Sequence, residues 1–362
     1  MIISDCPSIM WQYIAEEPTV LRRLLIDYQS AKFKPGVFGQ WTDVYLVAHG
    51  SSYNASVCVS SLFSRLTGLP VWSLTPAEFV WWPAMDWRCK PVGKSLVIAI
   101  SQTGTSSGVL EAAAYAKKAG CTVFGITNEP NSALTRLADS VINLDCGFED
   151  SNAKTKGYSA TLLALILLGM WIGNKKGVLP ISKEEIVTTE LAAQVEILLD
   201  VSQRIQEWCI QRKFYHNCTH LLFIGSGMNF GTALEGQLKL VETMTVPALA
   251  CNIQEFSHGI HRLVKNDTNV VLFAAEPNFR ELIFSTFYYL EKITSKTLLL
   301  NASEQKLDHP NAFHIPYFKN TESILLQTIA VQVLSVMLPE MNGLDPNRPA
   351  NNDYTTIART RI

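Results

Sequence analysis

The sequence predicts an α/β protein made of two tandem doubly wound parallel-sheet domains with flanking helices. The main observation is a repeated order of apolar strand, small-residue turn and helix, once in "DVYLVAHGSSYNASVCVSSLFSRLTGLPV" and again in "HLLFIGSGMNFGTALEGQLKLVETMTVPA". Each unit is followed about 50 residues later by a second buried strand and helix, "SLVIAISQTGTSSGVLEAAAYAKKAG" and "NVVLFAAEPNFRELIFSTFYYLEKI". Alternation of this kind calls for parallel sheets covered on both faces, with ligands at the carboxyl ends of the strands. Composition agrees, because 48% hydrophobic and 17% charged residues in 362 supply a large core and leave no case for disorder.

In chain order, residues 1–30 form an N-terminal helical segment and 31–180 a first α/β domain. Residues 181–212 form an amphipathic helical connection, 213–342 a second α/β domain, and 343–362 a polar, turn-rich tail that either dangles or wraps back over a site. The run "ATLLALILLGMWIG", Ala160 to Gly173, reads as a buried helix too short to cross a membrane. The N-terminus has no basic stretch leading into an apolar block, so no secretory signal is expected. Thirty basic against 32 acidic residues, without a long run of one sign, remove the electrostatic footprint of a nucleic-acid binder. Eight scattered cysteines without C-x-x-C spacing read as reduced core thiols of a cytoplasmic protein.

The junction "SQTGTSS", Ser101 to Ser107, stands between a strand and a helix. Successive amides at a helix start form a positive concavity, and hydroxyls add donors without adding charge, a set that suits a phosphate dianion. Helix capping alone accounts for one or two of these hydroxyls. Ser101, Gln102, Thr103 and Ser106 are the candidate phosphate residues, and the first turn "HGSSYNA" adds Gly50, Ser51 and Ser52. No Lys-Ser/Thr pair follows Gly104 or Gly108, so a simple sugar phosphate fits better than a nucleotide. In the second half the matching loop is "AAEPNFRE", whose acidic residues would repel a phosphate.

Helix "ALEGQLKLVE" carries Glu235, Lys239 and Glu242 on one face, and from spacing alone these read as a surface salt-bridge ladder. "HNCTH" places His216 and His220 four apart before a strand, a weak metal pattern without the glutamate of a zincin. "GSGMNFG" misses the dinucleotide fingerprint for want of an acidic residue in the expected place. No cofactor and no metal are expected.

These segments resemble the sugar isomerase (SIS) domain superfamily, in particular the tandem isomerase half of glucosamine-6-phosphate synthase and the deglycases that act on fructosamine 6-phosphates. The similarity runs over almost the whole chain and is most specific in "ALEGQLKLVETMTVPALACNIQEFSHG", Ala233 to Gly259. The resemblance implies a proton-transfer role for Glu242, with Glu235 and Lys239 as polar neighbours of the same site. It implies ring opening for His258, supplied to a second subunit, and hence a homodimer or dimer of dimers with shared active sites. Glu149 matches an acidic position near the C1 or C2 substituent, with the backbone near Asn152 alongside. His261 has a plain reading as a loop histidine; Lys154 and Lys156 are candidates for added charge near the phosphate, with solvated lysines as the default reading.

Two departures shape the expected activity. No glutamine-hydrolysing domain precedes these segments, so ammonia from glutamine is not expected. Where the synthase has a tail lysine, "RPANNDYTT" places Tyr354. The leading expectation is a deglycase that cleaves a ketosamine 6-phosphate to an aldose 6-phosphate and free amine through an enaminol and imine. The alternatives are an aminosugar-phosphate isomerase or deaminase and, from another class, a non-catalytic sugar-phosphate sensor. Sensors of the superfamily usually carry a DNA-binding headpiece, and the roughly 40 residues before the first strand are neither long nor basic enough for one. The expected partners are a sugar phosphate and a second copy of the chain, without nucleic acid or membrane. Tyr53 and the "WWPAMDW" loop, Trp81 to Trp87, are candidates for reading the amine half of the substrate, or core.

Overall fold

The computed structural model describes residues 8–81, 94–275, 277–351, 353–358 and 360, so Cys6, Cys89 and "WWPAMDW" beyond Trp81 lie outside the described residues. The first half contains β1 (Asp43–Ala48), α2 (Gly50–Thr67), β2 (Val71–Leu74), α3 (Pro76–Trp81), β3 (Ser95–Ile100), α4 (Ser107–Lys118), β4 (Thr122–Thr127), α5 (Ala133–Leu137), β5 (Ser140–Asn143) and α6 (Lys156–Lys175), after α1 (Ile9–Gln29). Helix α7 (Ile181–Arg212) follows. The second half contains β6 (Leu221–Gly225), α8 (Met228–Met244), β7 (Ala248–Asn252), α9 (Ile253–Phe256), β8 (Asn269–Ala274), α10 (Arg280–Leu290), β9 (Thr297–Asn301), β10 (Ala312–His314) and α11 (Ile324–Met341), and a short α12 (Tyr354–Ile357) lies in the tail.

Each half forms a five-stranded, all-parallel sheet, in the orders β2-β1-β3-β4-β5 and β10-β9-β8-β6-β7. Counted within its own half, each sheet has the order 2-1-3-4-5, the doubly wound arrangement whose crevice opens between strands one and three. Two such sheets with flanking helices account for the repeat seen in the sequence. β3, β6, β8 and β9 are buried along their whole length, as strands covered on both faces must be.

The chain forms two compact units that are not a single cut of the sequence. One comprises residues 19–148, 156–185 and 351–362; the other comprises residues up to 18, 149–155 and 186–350. Segment 149–155 thus belongs with the second sheet, although it lies within 31–180 in sequence.

The last helix of each half is apolar all round. α6 packs on α2 and α11 on α8. Gly173 permits the first contact: a Cβ there would stand 2.1 Å from the Leu66 carbonyl oxygen. α6 extends the apolar run seen in the sequence to 20 residues, so α6 and α11 are both long and apolar enough to cross a membrane; 89% of each apolar window is buried inside the protein. Cys58, Cys121, Cys146, Cys209, Cys218 and Cys251 are buried and form no disulfide.

Candidate active site

The hydroxyl loop lies in the first unit, at the carboxyl ends of β1 and β3, where the strand order reverses. The Ser101 N–H joins the Ile126 carbonyl at 3.0 Å, and the Gly104 N–H closes a turn on the Ser101 carbonyl at 2.9 Å. The Gln102 carbonyl accepts from the Asn128 N–H (2.9 Å) and the Thr127 hydroxyl (3.2 Å), and the Gly104 carbonyl accepts from the Leu134 N–H (3.1 Å). Loop carbonyls are therefore engaged by the β4–α5 segment, which suits a site for an anion. Gly104 has φ 63°, and a Cβ there would fall 2.1 Å from Ser132 Oγ, so only glycine fits.

Ser101 is buried, while Gln102, Thr103 and Ser106 are half-buried; the Thr103 and Thr105 hydroxyls pair at 2.9 Å. Ser106 is the N-cap of α4, yet its side chain makes no capping bond, so capping does not explain it. The Ser107 N–H and hydroxyl both donate to the Thr360 carbonyl, at 3.3 and 3.0 Å. The tail therefore wraps back onto this loop. His49 caps α2 by position without a side-chain bond, and its Nε2 stands 2.8 Å from where a Gly108 Cβ would be, resting on the first turn of α4. Burial lowers the His49 pKa, which keeps the ring neutral near pH 7. Gly50 (φ 55°), Ser51 and Ser52 start α2, with both serines half-buried, and Tyr354 is exposed at the start of α12.

The second unit gathers the ionisable residues. Lys239 Nζ and Glu235 Oε1 form a 2.8 Å ion pair with side chains 0% and 1% exposed. This corrects the surface-ladder reading: spacing puts the residues on one face, and packing turns that face inward against α11. Burial by itself would lower the Lys239 pKa, but Glu235, Glu242 and Glu149 outweigh it and raise the pKa, so the ammonium stays charged. Lys239 also donates to the Lys154 carbonyl.

Glu242 lies in the last turn of α8, on the way to the amino end of β7, rather than at the carboxyl ends of the second sheet where ligands were expected. The side chain is partly buried, and its Oε2 is enclosed without a hydrogen-bond partner among the described residues. Its pKa is pushed up from 4.5 to about 7, first by burial; Lys239 opposes the shift, Glu235 adds to it and Lys154 opposes it.

Segment 149–155 closes over this helix end. The Glu149 carboxylate accepts from the Thr155 N–H in its own loop, and the Lys154 ammonium donates to the Glu149 carbonyl at 2.8 Å. The Asp150 N–H reaches the Tyr13 hydroxyl (2.9 Å), and Gln332 Nε2 reaches the Thr155 carbonyl (3.1 Å). Asn152 Nδ2 donates to the Glu242 carbonyl at 2.6 Å and lies 3.4 Å from the Pro346 carbonyl. Lys154 is half-buried and Lys156, which belongs to the first unit, is buried, so neither is the solvated lysine expected from sequence.

His258 is exposed on the turn after α9, its N–H bonded to the Glu255 carbonyl, and it is not among the charges acting on Glu242. His261 is occupied locally, with Nδ1 3.2 Å from the Phe256 carbonyl. His220 sits between the Thr219 and Thr268 hydroxyls, and no group of three or more His, Cys, Asp or Glu is placed to hold a metal ion among the described residues. Sequence reading missed Tyr13, Thr155, Gln332 and the Asn152 side chain, whose bonds span distant segments and leave no local pattern.

Comparison with known proteins gives these parts a context. The SIS domain family matches residues 38–170. A glutamine–fructose-6-phosphate aminotransferase of Gloeobacter violaceus is 30% identical over 372 residues, covering 94% of this chain and 57% of that protein. The chain thus spans little more than half the length of that relative. The C-terminal domain of glucosamine-fructose-6-phosphate aminotransferase from Francisella tularensis shares the fold with a TM-score of 0.83 at 22% identity, covering 95% of this chain and 99% of that one. Glucosamine-6-phosphate deaminase from Thermotoga maritima shares it with a TM-score of 0.76 at 21% identity, covering 95% and 98%.

Proposed function

We propose that this chain, whose residues 38–170 match the SIS domain family, is a phosphosugar-processing enzyme acting on an amine-bearing sugar phosphate, with deglycation of a ketosamine 6-phosphate as its reaction. The observation that carries the reading is Glu242: a carboxyl group with one enclosed, unpartnered oxygen and a pKa of about 7 suits both taking and returning a proton at neutral pH. The names of the relatives, an aminotransferase of fructose 6-phosphate and a glucosamine-6-phosphate deaminase, support the same substrate class.

In this reading the hydroxyl loop, through Ser101, Gln102, Thr103 and Ser106 with Gly50, Ser51 and Ser52, takes the phosphate. Glu242 removes a proton from C1 of the ketosamine, giving an enaminol, and returns it at C2, giving a C1 imine. Water adds to the imine carbon, and the C1–N bond breaks to release an aldose 6-phosphate and the free amine. Buried Lys239, held by Glu235, keeps a fixed positive charge beside Glu242. His258 assists ring opening or protonates the leaving amine, and its exposure suits delivery to a second copy of the chain. Tyr354 and Glu149 are assigned to the carbonyl end of the sugar. Buried cysteines outside disulfides fit the cytoplasm.

A second reading, an aminosugar-phosphate isomerase or deaminase, is favoured by the likeness to the Thermotoga maritima deaminase over 98% of that chain. Incubation with a panel of fructosamine 6-phosphates and with glucosamine 6-phosphate separates the two. Deglycation releases aldose 6-phosphate and the organic amine, whereas deamination releases ketose 6-phosphate and ammonia. Absence of any product from the whole panel would leave the non-catalytic sensor.

A further inference from the structure

One oxygen of the Glu242 carboxylate, Oε2, is enclosed without a hydrogen-bond donor among the described residues. The place of that oxygen therefore depends on the backbone that carries the side chain. That backbone is the last turn of α8, where the carbonyls of the final four residues lack the N–H groups of a continuing helix. Thr245, in the left-handed region at φ 54°, returns its N–H to the Val241 carbonyl at 3.2 Å. The next carbonyl, that of Glu242 itself, receives the side-chain amide of Asn152 at 2.6 Å.

Asn152 is itself well placed to act as a fixed point. On one side of it, the Glu149 carboxylate closes onto the Thr155 N–H; on the other, the Lys154 carbonyl accepts from the buried Lys239 ammonium. Both ends of the segment 149–155 are thus pinned, and its middle residue presents two amide hydrogens. One meets the Glu242 carbonyl, and the other faces the Pro346 carbonyl at 3.4 Å, in the segment that leads from α11 to the tail.

We propose that Asn152 is a positioning residue: its side-chain amide sets the place of the Glu242 carboxylate through the Glu242 backbone and ties that place to the chain segment at Pro346. The sequence resemblance puts the backbone near residue 152 beside the substrate. The structure spends its side-chain donors on the protein instead, so its effect on the reaction passes through Glu242. The inference rests on the acid-base role proposed above for Glu242, and its test includes a reading that needs no substrate.

The test compares Asn152→Ala, Asn152→Asp and Asn152→Gln with the parent. Alanine removes the donor, aspartate keeps the shape but turns an acceptor toward two carbonyls, and glutamine keeps an amide on a longer arm. Misplacement of a reacting group on the order of 1 Å costs about 100-fold in rate, so kcat should fall roughly 10- to 100-fold in the alanine and aspartate variants, with KM within about two-fold and partial recovery in glutamine. Without substrate, the titration of the Glu242 carboxyl, followed by carbon-13 NMR and assigned with Glu242→Gln, should move from about 7 toward 4.5 in the alanine variant as a loosened turn admits water. A raised KM with parental kcat would make Asn152 a substrate contact and overturn the proposal, as would a lower melting temperature with unchanged kcat and an unmoved titration. If the parent turns over no phosphosugar, the reading of function fails, and the titration alone decides the role of Asn152.

Discussion

Lys239 and Glu235, one helical turn apart in α8, form an ion pair with both side chains withdrawn from solvent, at 2.8 Å and 0% and 1% exposure. A surface pair at this spacing adds a few tenths of a kcal/mol, roughly 0.3–0.5. A buried pair behaves differently, because removal of one partner strands the other charge.

Glu235→Gln should therefore destabilise the protein by about 3–5 kcal/mol, whereas Glu235→Leu with Lys239→Met should recover most of that loss. Urea unfolding of the single and double variants checks this, and equal losses in both would remove the case for a buried pair. Turnover supplies a second reading: the double variant should remain inactive although refolded, since the charge beside Glu242 is gone.

The Glu242 carboxyl links activity and stability to pH with opposite signs. Because the carboxylate form is the base, kcat/KM should rise as pH increases through about 7. Stability runs the other way. A pKa raised from 4.5 to about 7 on folding contributes stability that is fully present below about 4.5 and lost as pH rises through about 7. Glu242→Gln escapes that loss, so it should be more stable than the parent above pH 7, by up to about 3 kcal/mol, and equal to it below pH 4. Thermal melts of both proteins between pH 4 and 9 test the sign.

The hydroxyl loop makes its own demand. Ser101→Ala with Thr103→Ala should weaken binding of fructose 6-phosphate by about 1–3 kcal/mol per lost charge-assisted bond while leaving the fold intact. Gly104→Ala should abolish that binding, since the new methyl would stand 2.1 Å from Ser132 Oγ at a φ that alanine resists. Calorimetric titration with fructose 6-phosphate reads both, and parental affinity in the double alanine variant would move the phosphate elsewhere.

The parts legible in the sequence were those that local pattern controls. Apolar runs ending in Gly-Ser turns marked β1 and β6, and the repeated spacing after them foretold two sheets of like order. The loop at Ser101–Ser107 stood out because its donors are consecutive in the chain. The state of Glu242 was not legible, because its acidity depends first on burial by tertiary packing, and Asn152 stands 90 positions before its partner. The same holds for Lys239, for which periodicity gives a face of a helix without saying what covers it. His258 remained outside the acid-base cluster for a related reason: its turn is exposed, and sequence offers no measure of distance to α8.

The central claim is proton transfer by Glu242, and solvent deuterium reads it most directly. The parent, incubated in deuterium oxide with a fructosamine 6-phosphate and followed by proton NMR, should lose the C1 proton signal and place deuterium at C2 of the aldose 6-phosphate formed. Glu242→Gln should reduce that exchange by about 100-fold or more, the scale of losing a general base, while still binding the sugar phosphate. Parental exchange in Glu242→Gln would contradict the account.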